Sequence, residues 1–354
     1  MFSDITKLLK ALSRKRRWQL FGLILFMLIG ALAELATLGA VLPFVTLLGN
    51  PAAVQKFTFV AGLLNLLGWN SNAGGLTLLT LAFTSIMLIS AVIRMALSWA
   101  VLKFGYGVGH DISVEVYRRA LYQPYQFHVV TNSSDIIASI EKSNYVSNNV
   151  IVPLLQISVS ILLAVAILIG LLVIDFTTAI IAGLGFTLIY VVIIIASKKQ
   201  LAKNGAVVSR AQNLRVQAVQ EGLGGIRDVL IGATQPIYVE QFRSVDEELR
   251  KAQASNNLIG STPRLIIEAI GASLIAALAC WMSLSQGSLK EALPVLGALA
   301  LGAQKLIPQM QNIYYGWSSL AANQNLLKDV LLALDRPMPI KKSAPDAITP
   351  RPAD

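Results

Sequence analysis

Long apolar runs separated by polar breaks set the rhythm of this chain. Six of them, residues 20–48, 76–102, 150–174, 179–196, 265–284 and 292–313, are long enough as helices to cross the roughly 30 Å hydrocarbon core of a bilayer. The breaks alternate in character. Residues 49–75, 175–178 and 285–291 carry almost no charge, whereas residues 103–149 and 197–264 are long, polar and patterned. In the second long connection no proline occurs between Pro153 and Pro236, so the helix of the fourth run is free to continue past Ala196. Its return leg places Tyr238, Phe242, Val245, Leu249 and Ala252 in steps of four and three, a heptad seam. Asp246 with Arg250 and Glu247 with Lys251 stand four apart and predict ion pairs along the exposed side. Gly222, Gly224, Gly225 and Gly232 lie between the legs and permit a reversal. The first connection repeats the design: Pro124 breaks one helix, residues 131–134 supply a turn and cap, and Asp135 opens the next helix. The pattern predicts two helical hairpins with short transverse tips, continuous with the membrane helices; a separate solvated hairpin is the plainer alternative.

Ahead of the first run, Phe2, Ile5, Leu8, Leu9 and Leu12 recur at helical spacing behind Ser3 and Asp4, which suit a helix start. Residues 1–17 therefore read as an interfacial elbow helix with its apolar face toward the cytoplasmic leaflet. A secretory signal fits poorly. The apolar run after Arg17 continues past "ALA" at 31–33 and past Glu34 to Leu48, too long for a signal core.

Composition agrees with the pattern: 55% hydrophobic residues, 14% charged and a mean hydropathy of +0.63 place the chain among polytopic membrane proteins. The formal charge of +10 changes the picture through its placement. Basic residues fill the N-terminus and the two long connections, so both termini and both connections are expected in the cytoplasm, with no role for nucleic acid. Cys280 is the sole cysteine, which excludes a disulfide within the chain and argues against a thiolate metal site. His110 and His128 both fall in the first long connection, leaving an intramembrane metal or protease site little to build on. No catalytic residue and no metal ligand is expected.

Ionisable residues inside the runs are the candidate chemistry, because a charge in hydrocarbon needs a partner or a task. They are Glu34, Arg94, Glu268 and Lys305, with Arg264 at the membrane edge. At about 1.5 Å per residue, Arg94 lies roughly 12 Å above the cytoplasmic end of its run and Lys305 about 20 Å below the external side. All three bases thus sit in or at the cytoplasmic half. The alternative is mutual neutralisation, Arg94 with Glu34 and Arg264 with Glu268. A phosphate-binding loop is not supported: "GLGG" lacks the required glycine order, and no G-x-x-x-x-G-K-[ST] occurs. "LSQGS" at 284–288 differs in order from the ABC signature and lies in an external turn.

An elbow helix, six spans, short external loops and two long cytoplasmic hairpins resemble the transmembrane domain of ABC exporters. "ELATLGAVLPFVTLL" (34–48), "QEGLGGIRDVLIG" (220–232), "STPRLIIEAIG" (261–271) and "QKLIPQMQNI" (304–313) resemble the bacterial flippases that move lipid-linked oligosaccharides across the inner membrane. The resemblance implies an all-α membrane domain over residues 18–334 and coupling helices at the tips, around Tyr125, Phe127, His128 and Asn132 and around Glu221, Gly222, Gly225 and Arg227. It implies that Arg94, Arg264 and Lys305, with Glu34 and Glu268 beside them, line a substrate cavity that attracts a pyrophosphate. It further implies a second copy or homologous half-transporter, membrane lipids, and an ABC nucleotide-binding domain carrying ATP and Mg as partners. No cofactor is expected in the chain itself. Residues 335–354, proline-rich and polar, read as a linker toward that domain. ATP hydrolysis is expected only from a domain supplied elsewhere. A peptide or drug exporter subunit, and a non-transporting membrane scaffold, are the competing expectations.

Overall fold

The computed structural model describes residues 2–10, 12–49, 72–174, 176–285 and 289–338, and among them helix is the only regular structure. α1 (Phe2–Lys10) is followed by α2 (Arg14–Gly49) and α3 (Asn72–Leu121). α4 (Tyr125–Val130) and α5 (Ser133–Val146) come next, and a π-helical turn, Ser147–Ile151, leads into α6 (Val152–Ile174). α7 (Phe176–Gly224), α8 (Ile226–Ile231), α9 (Gln235–Ser285), α10 (Leu289–Ala322) and α11 (Gln324–Leu334) complete the order.

Three helices, α3 with 50 residues, α7 with 49 and α9 with 51, are far longer than a bilayer requires. At 1.5 Å per residue each runs about 75 Å, more than twice the hydrocarbon thickness. Each is one rod with an apolar half and a polar half, and for α7 this is the continuity that the proline-free stretch after Pro153 predicts. Among the described residues four stretches are long and apolar enough to cross a membrane: Arg14–Val41, Thr80–Leu121, Ser133–Val173 and Gly183–Gly224. The expected fifth and sixth runs fall within α9 and α10, where most side chains over residues 271–301 lie outside those described. The weakly charged connections fall largely outside as well, as do residues 339–354.

The long helices pack as α2 on α3, α6 on α10 and α7 on α9, with α10 also touching α2, α7 and α9. Outward faces remain apolar. Phe21, Leu25, Leu28 and Leu32 on α2, and Ile161, Val165, Ile169 and Val173 on α6, form exposed stripes at helical spacing. Such stripes suit lipid, since their cost in water has no compensation within the chain. Close approach between helices depends on glycine at several crossings, of which two are the tightest. A Cβ on Gly205 would overlap the Ala322 carbonyl oxygen, and one on Gly109 would overlap the Ser147 hydroxyl at the π turn.

α9 continues through Pro263. Proline there removes the donor to the carbonyl four residues back and crowds the preceding turn. The freed Ile259 acceptor finds a partner on α10, where the Tyr314 hydroxyl donates to it at 3.1 Å, and the Gln311 amide of the same helix donates to the neighbouring Gly260 carbonyl at 3.1 Å. Tyr314→Phe is expected to destabilise the protein by about 1–2 kcal/mol, the cost of an acceptor left without its donor. Thermal unfolding in a fixed detergent checks this, with Tyr315→Phe, at a site 43% exposed, expected to leave the midpoint near that of wild type.

The return leg matches its seam. Leu249 and Ala252 are buried, while Tyr238 and Phe242 nearer the tip are partly open. Both predicted ion pairs form, Arg250 to Asp246 at 3.4 Å and Lys251 to Glu247 at 2.5 Å. The hydrogen bond from Lys251 holds the Glu247 carboxyl below its usual range. The N-terminal segment differs in detail from the elbow expected over residues 1–17. α1 stops at Lys10 and α2 already starts at Arg14, where the Ser13 carbonyl accepts from the Arg17 amide at 3.1 Å. Ile5 and Leu8 are buried, and Leu8 packs in one cluster with Leu326, Leu327 and Val330 of α11. Protein therefore covers part of the stripe that the sequence pattern assigns to the leaflet.

Candidate functional site

Three charges meet where α2, α3 and α10 face one another. The Glu34 carboxylate, with only 3% of its side chain exposed, accepts from the Lys305 ammonium at 2.8 Å. Lys305 also donates to the Thr37 hydroxyl, which in turn donates to the Glu34 carbonyl at 2.8 Å. One turn of α2 thus supplies both oxygens that receive the lysine. The second carboxylate oxygen of Glu34 is buried without a hydrogen bond, and the Arg94 guanidinium stands 3.8 Å from it. Arg94 is 43% exposed against 15% for Lys305, so the lysine is the committed partner and the arginine the available one. One carboxylate against two bases leaves the cluster cationic.

Arg94 opens onto a cavity of about 210 Å³ lined by Ser98, Gln156, Ser160, Gln309 and Asn312 together with apolar side chains. Five neutral groups able to donate or accept at variable geometry surround one guanidinium, an arrangement suited to an anion carrying hydroxyls or ester oxygens. The polar residues of this wall were not singled out from the sequence. The signal was present: Lys305, Gln309 and Asn312 recur by four and three and so share one face of α10. Arg264 and Glu268 do not join this cluster. They pair with each other on α9 at 2.7 Å, 63% and 45% exposed, as the four-residue spacing allows.

At the opposite ends of the long helices the two transverse segments take shape. α4 starts after Pro124, whose extended backbone ends α3, and α5 starts at Asn132, whose side chain accepts from the Ser134 amide at 3.1 Å. Asn132 is therefore a cap. Tyr125, Val129 and Val130 are strongly exposed, His128 is exposed, and Phe127 is half-buried. The second segment lies toward the later part of the expected Glu221, Gly222, Gly225 and Arg227. α7 stays helical through Gly222 and Gly224, α8 spans Ile226–Ile231, and the chain reverses at Ala233 with φ of 49°. Gly222 lies against Tyr238, and Glu221 accepts from Gln241 of α9 at 3.3 Å, so both belong to the packed legs. Gly225 caps α8, and Arg227 projects from it into solvent together with Leu230 and Ile231.

The C-terminal described residues are tied to the first tip. Arg119 donates to the carbonyls of Leu334 and Arg336, the latter at 2.9 Å, and Gln123 donates to the Pro337 carbonyl at 3.1 Å. The Arg336 guanidinium lies 5.1 Å from the Phe127 ring centroid. Beneath this clamp the nearly buried Lys142 reaches Asp329 at 2.6 Å, and Ser209 donates to the same carboxylate at 2.7 Å, which fixes α11 to α5 and α7. Residues 335–338, expected to be linker, thus begin as a held segment.

Comparison with the models of known families finds no match, and comparison with curated proteins finds none.

Proposed function

We propose that this chain is the transmembrane half of an ATP-driven ABC exporter or flippase, with six spans, that carries a lipid-linked saccharide or related amphipathic anion across a bacterial inner membrane. The observation that carries the reading is the surplus cation at Arg94: a guanidinium beside a buried carboxylate already occupied by Lys305, opening onto a polar intramembrane cavity. A purely structural ion pair needs one base, and a buried cluster retaining a second, half-exposed base suits an anion that comes and goes. The long helices support the rest. Rods of about 75 Å leave both hairpin tips well beyond the hydrocarbon, and their exposed apolar and basic side chains suit docking to a nucleotide-binding domain supplied elsewhere. A second copy, or a homologous half, completes the cavity in this reading, and both termini face the cytoplasm.

Topology is tested by single cysteines in a Cys280→Ala background. Residues at Asn70 and Ser288 should react with an impermeant maleimide from outside intact cells, and residues at Ser134 and Gly225 only after permeabilisation. Reaction at Gly225 in intact cells would rule out the exporter arrangement.

A further inference from the structure

A groove of about 270 Å³ opens on the outer face of the α2 and α3 pair, beside the basic run at residues 14–17. Leu23, Phe26 and Phe104 form an apolar floor, while Trp99 and Lys103 stand at its edge. Gly22 keeps the floor open, with nothing within 4 Å of where a Cβ would stand. Arg16 also borders the groove, but its guanidinium is fully used. It donates to the Asp111 carboxylate at 2.8 and 3.2 Å, to Gln19 at 3.0 Å and to the Gly107 carbonyl at 2.9 Å. That network cancels the nearby acid and leaves Lys103 as the unmatched charge. Its ammonium lies 4.5 Å from the centroid of the 62% exposed Trp99 ring, and no carboxylate pairs with it among the described residues.

We propose that this groove is a binding site for an anionic glycerophospholipid of the leaflet nearest the basic run, with the phosphodiester on Lys103 and an acyl chain along Leu23 and Phe26. Charge complementarity selects the occupant: one ammonium with its counter-charge missing stands about one helical turn from an indole, at the point where apolar floor gives way to basic residues. An uncharged chain would fill the floor and leave the ammonium unmatched. A zwitterionic head group would bring its own cation beside Lys103. The site faces outward from the α2 and α3 pair and stands independently of the transport reading.

The test uses the full chain in lipid nanodiscs of phosphatidylcholine containing a rising fraction of dibrominated phosphatidylglycerol or dibrominated phosphatidylcholine. Tryptophan quenching in wild type minus that in Trp99→Phe isolates the Trp99 contribution. Brominated phosphatidylglycerol should quench it at about fivefold lower mole fraction than brominated phosphatidylcholine, the preference expected from one lysine near an anionic surface. Lys103→Gln should bring the two lipids together, whereas Lys199→Gln, an equal loss of charge at an exposed position on α7, should preserve the preference. Equal quenching by both lipids in wild type, a preference that survives Lys103→Gln, or a Trp99 signal that neither lipid quenches would each overturn the proposal.

Discussion

Glu34→Gln is expected to destabilise the protein more than any other single substitution in the membrane-spanning half, by about 3–5 kcal/mol. The substitution removes the one carboxylate that, among the described residues, pairs with Lys305, whose side chain is 15% exposed and keeps the Thr37 hydroxyl as partner. It also leaves Arg94 as an uncompensated neighbour of like charge. Lys305→Gln should cost less, because the freed carboxylate still has Arg94 at 3.8 Å and a half-exposed guanidinium has freedom to close that distance. The double variant Glu34→Gln with Lys305→Gln should recover most of the loss, since no buried charge then lacks its partner. Thermal unfolding in one detergent ranks the three variants. A double variant that melts as low as Glu34→Gln alone would show that the pair does not act as a unit.

The second large effect is expected at the hairpin tip. Gly225→Glu and Arg227→Glu add negative charge to a surface that in our reading meets a nucleotide-binding domain, and the backbone bonds by which Gly225 caps α8 are open to any residue at its φ of −102°. A Cβ on Gly225 meets only the Glu221 carbonyl at 3.5 Å, an ordinary contact, and Arg227 is exposed. Both variants should insert and unfold as wild type does, with thermal midpoints close to it, because surface substitutions of this kind change stability by roughly 0.5 kcal/mol or less. ATP-dependent substrate movement should fall by at least about tenfold, corresponding to about 1.4 kcal/mol lost at the docking surface. Normal movement in both would take the coupling role away from this tip.

Features written in local spacing were legible before any coordinates. The length of α7 followed from the missing prolines, and the pairs Asp246–Arg250 and Glu247–Lys251 from four-residue spacing on one helix. Pairing between helices was not legible in the same way. Whether Glu34 takes Arg94 or Lys305 depends on how α2, α3 and α10 are rotated against each other, and the sequence pattern offered only Arg94. The second tip was displaced for a similar reason. Glycine lowers helix propensity, yet Gly222 stays in α7, where it packs against Tyr238 of α9, a contact that offsets a cost of about 1 kcal/mol. Ala233 takes the left-handed backbone that the glycines were expected to supply. α11 escaped notice altogether, although Leu326, Leu327, Val330 and Leu331 repeat at helical spacing, because its apolar face has meaning only against α1, α3, α5 and α7.

The central claim is that Arg94 receives an anionic head group. Its direct test is ATP-dependent movement of a fluorescent polyprenyl-pyrophosphate-linked saccharide in inverted membrane vesicles from cells that make either wild type or Arg94→Gln. This variant spares the Glu34–Lys305 pair, so its melting point should stay near that of wild type while it loses the surplus charge. The account predicts movement reduced by about tenfold or more, as loss of a charge-assisted contact worth 1.5–3 kcal/mol requires, with ATP turnover retained. Undiminished movement of the pyrophosphate-linked lipid at matched stability would contradict it.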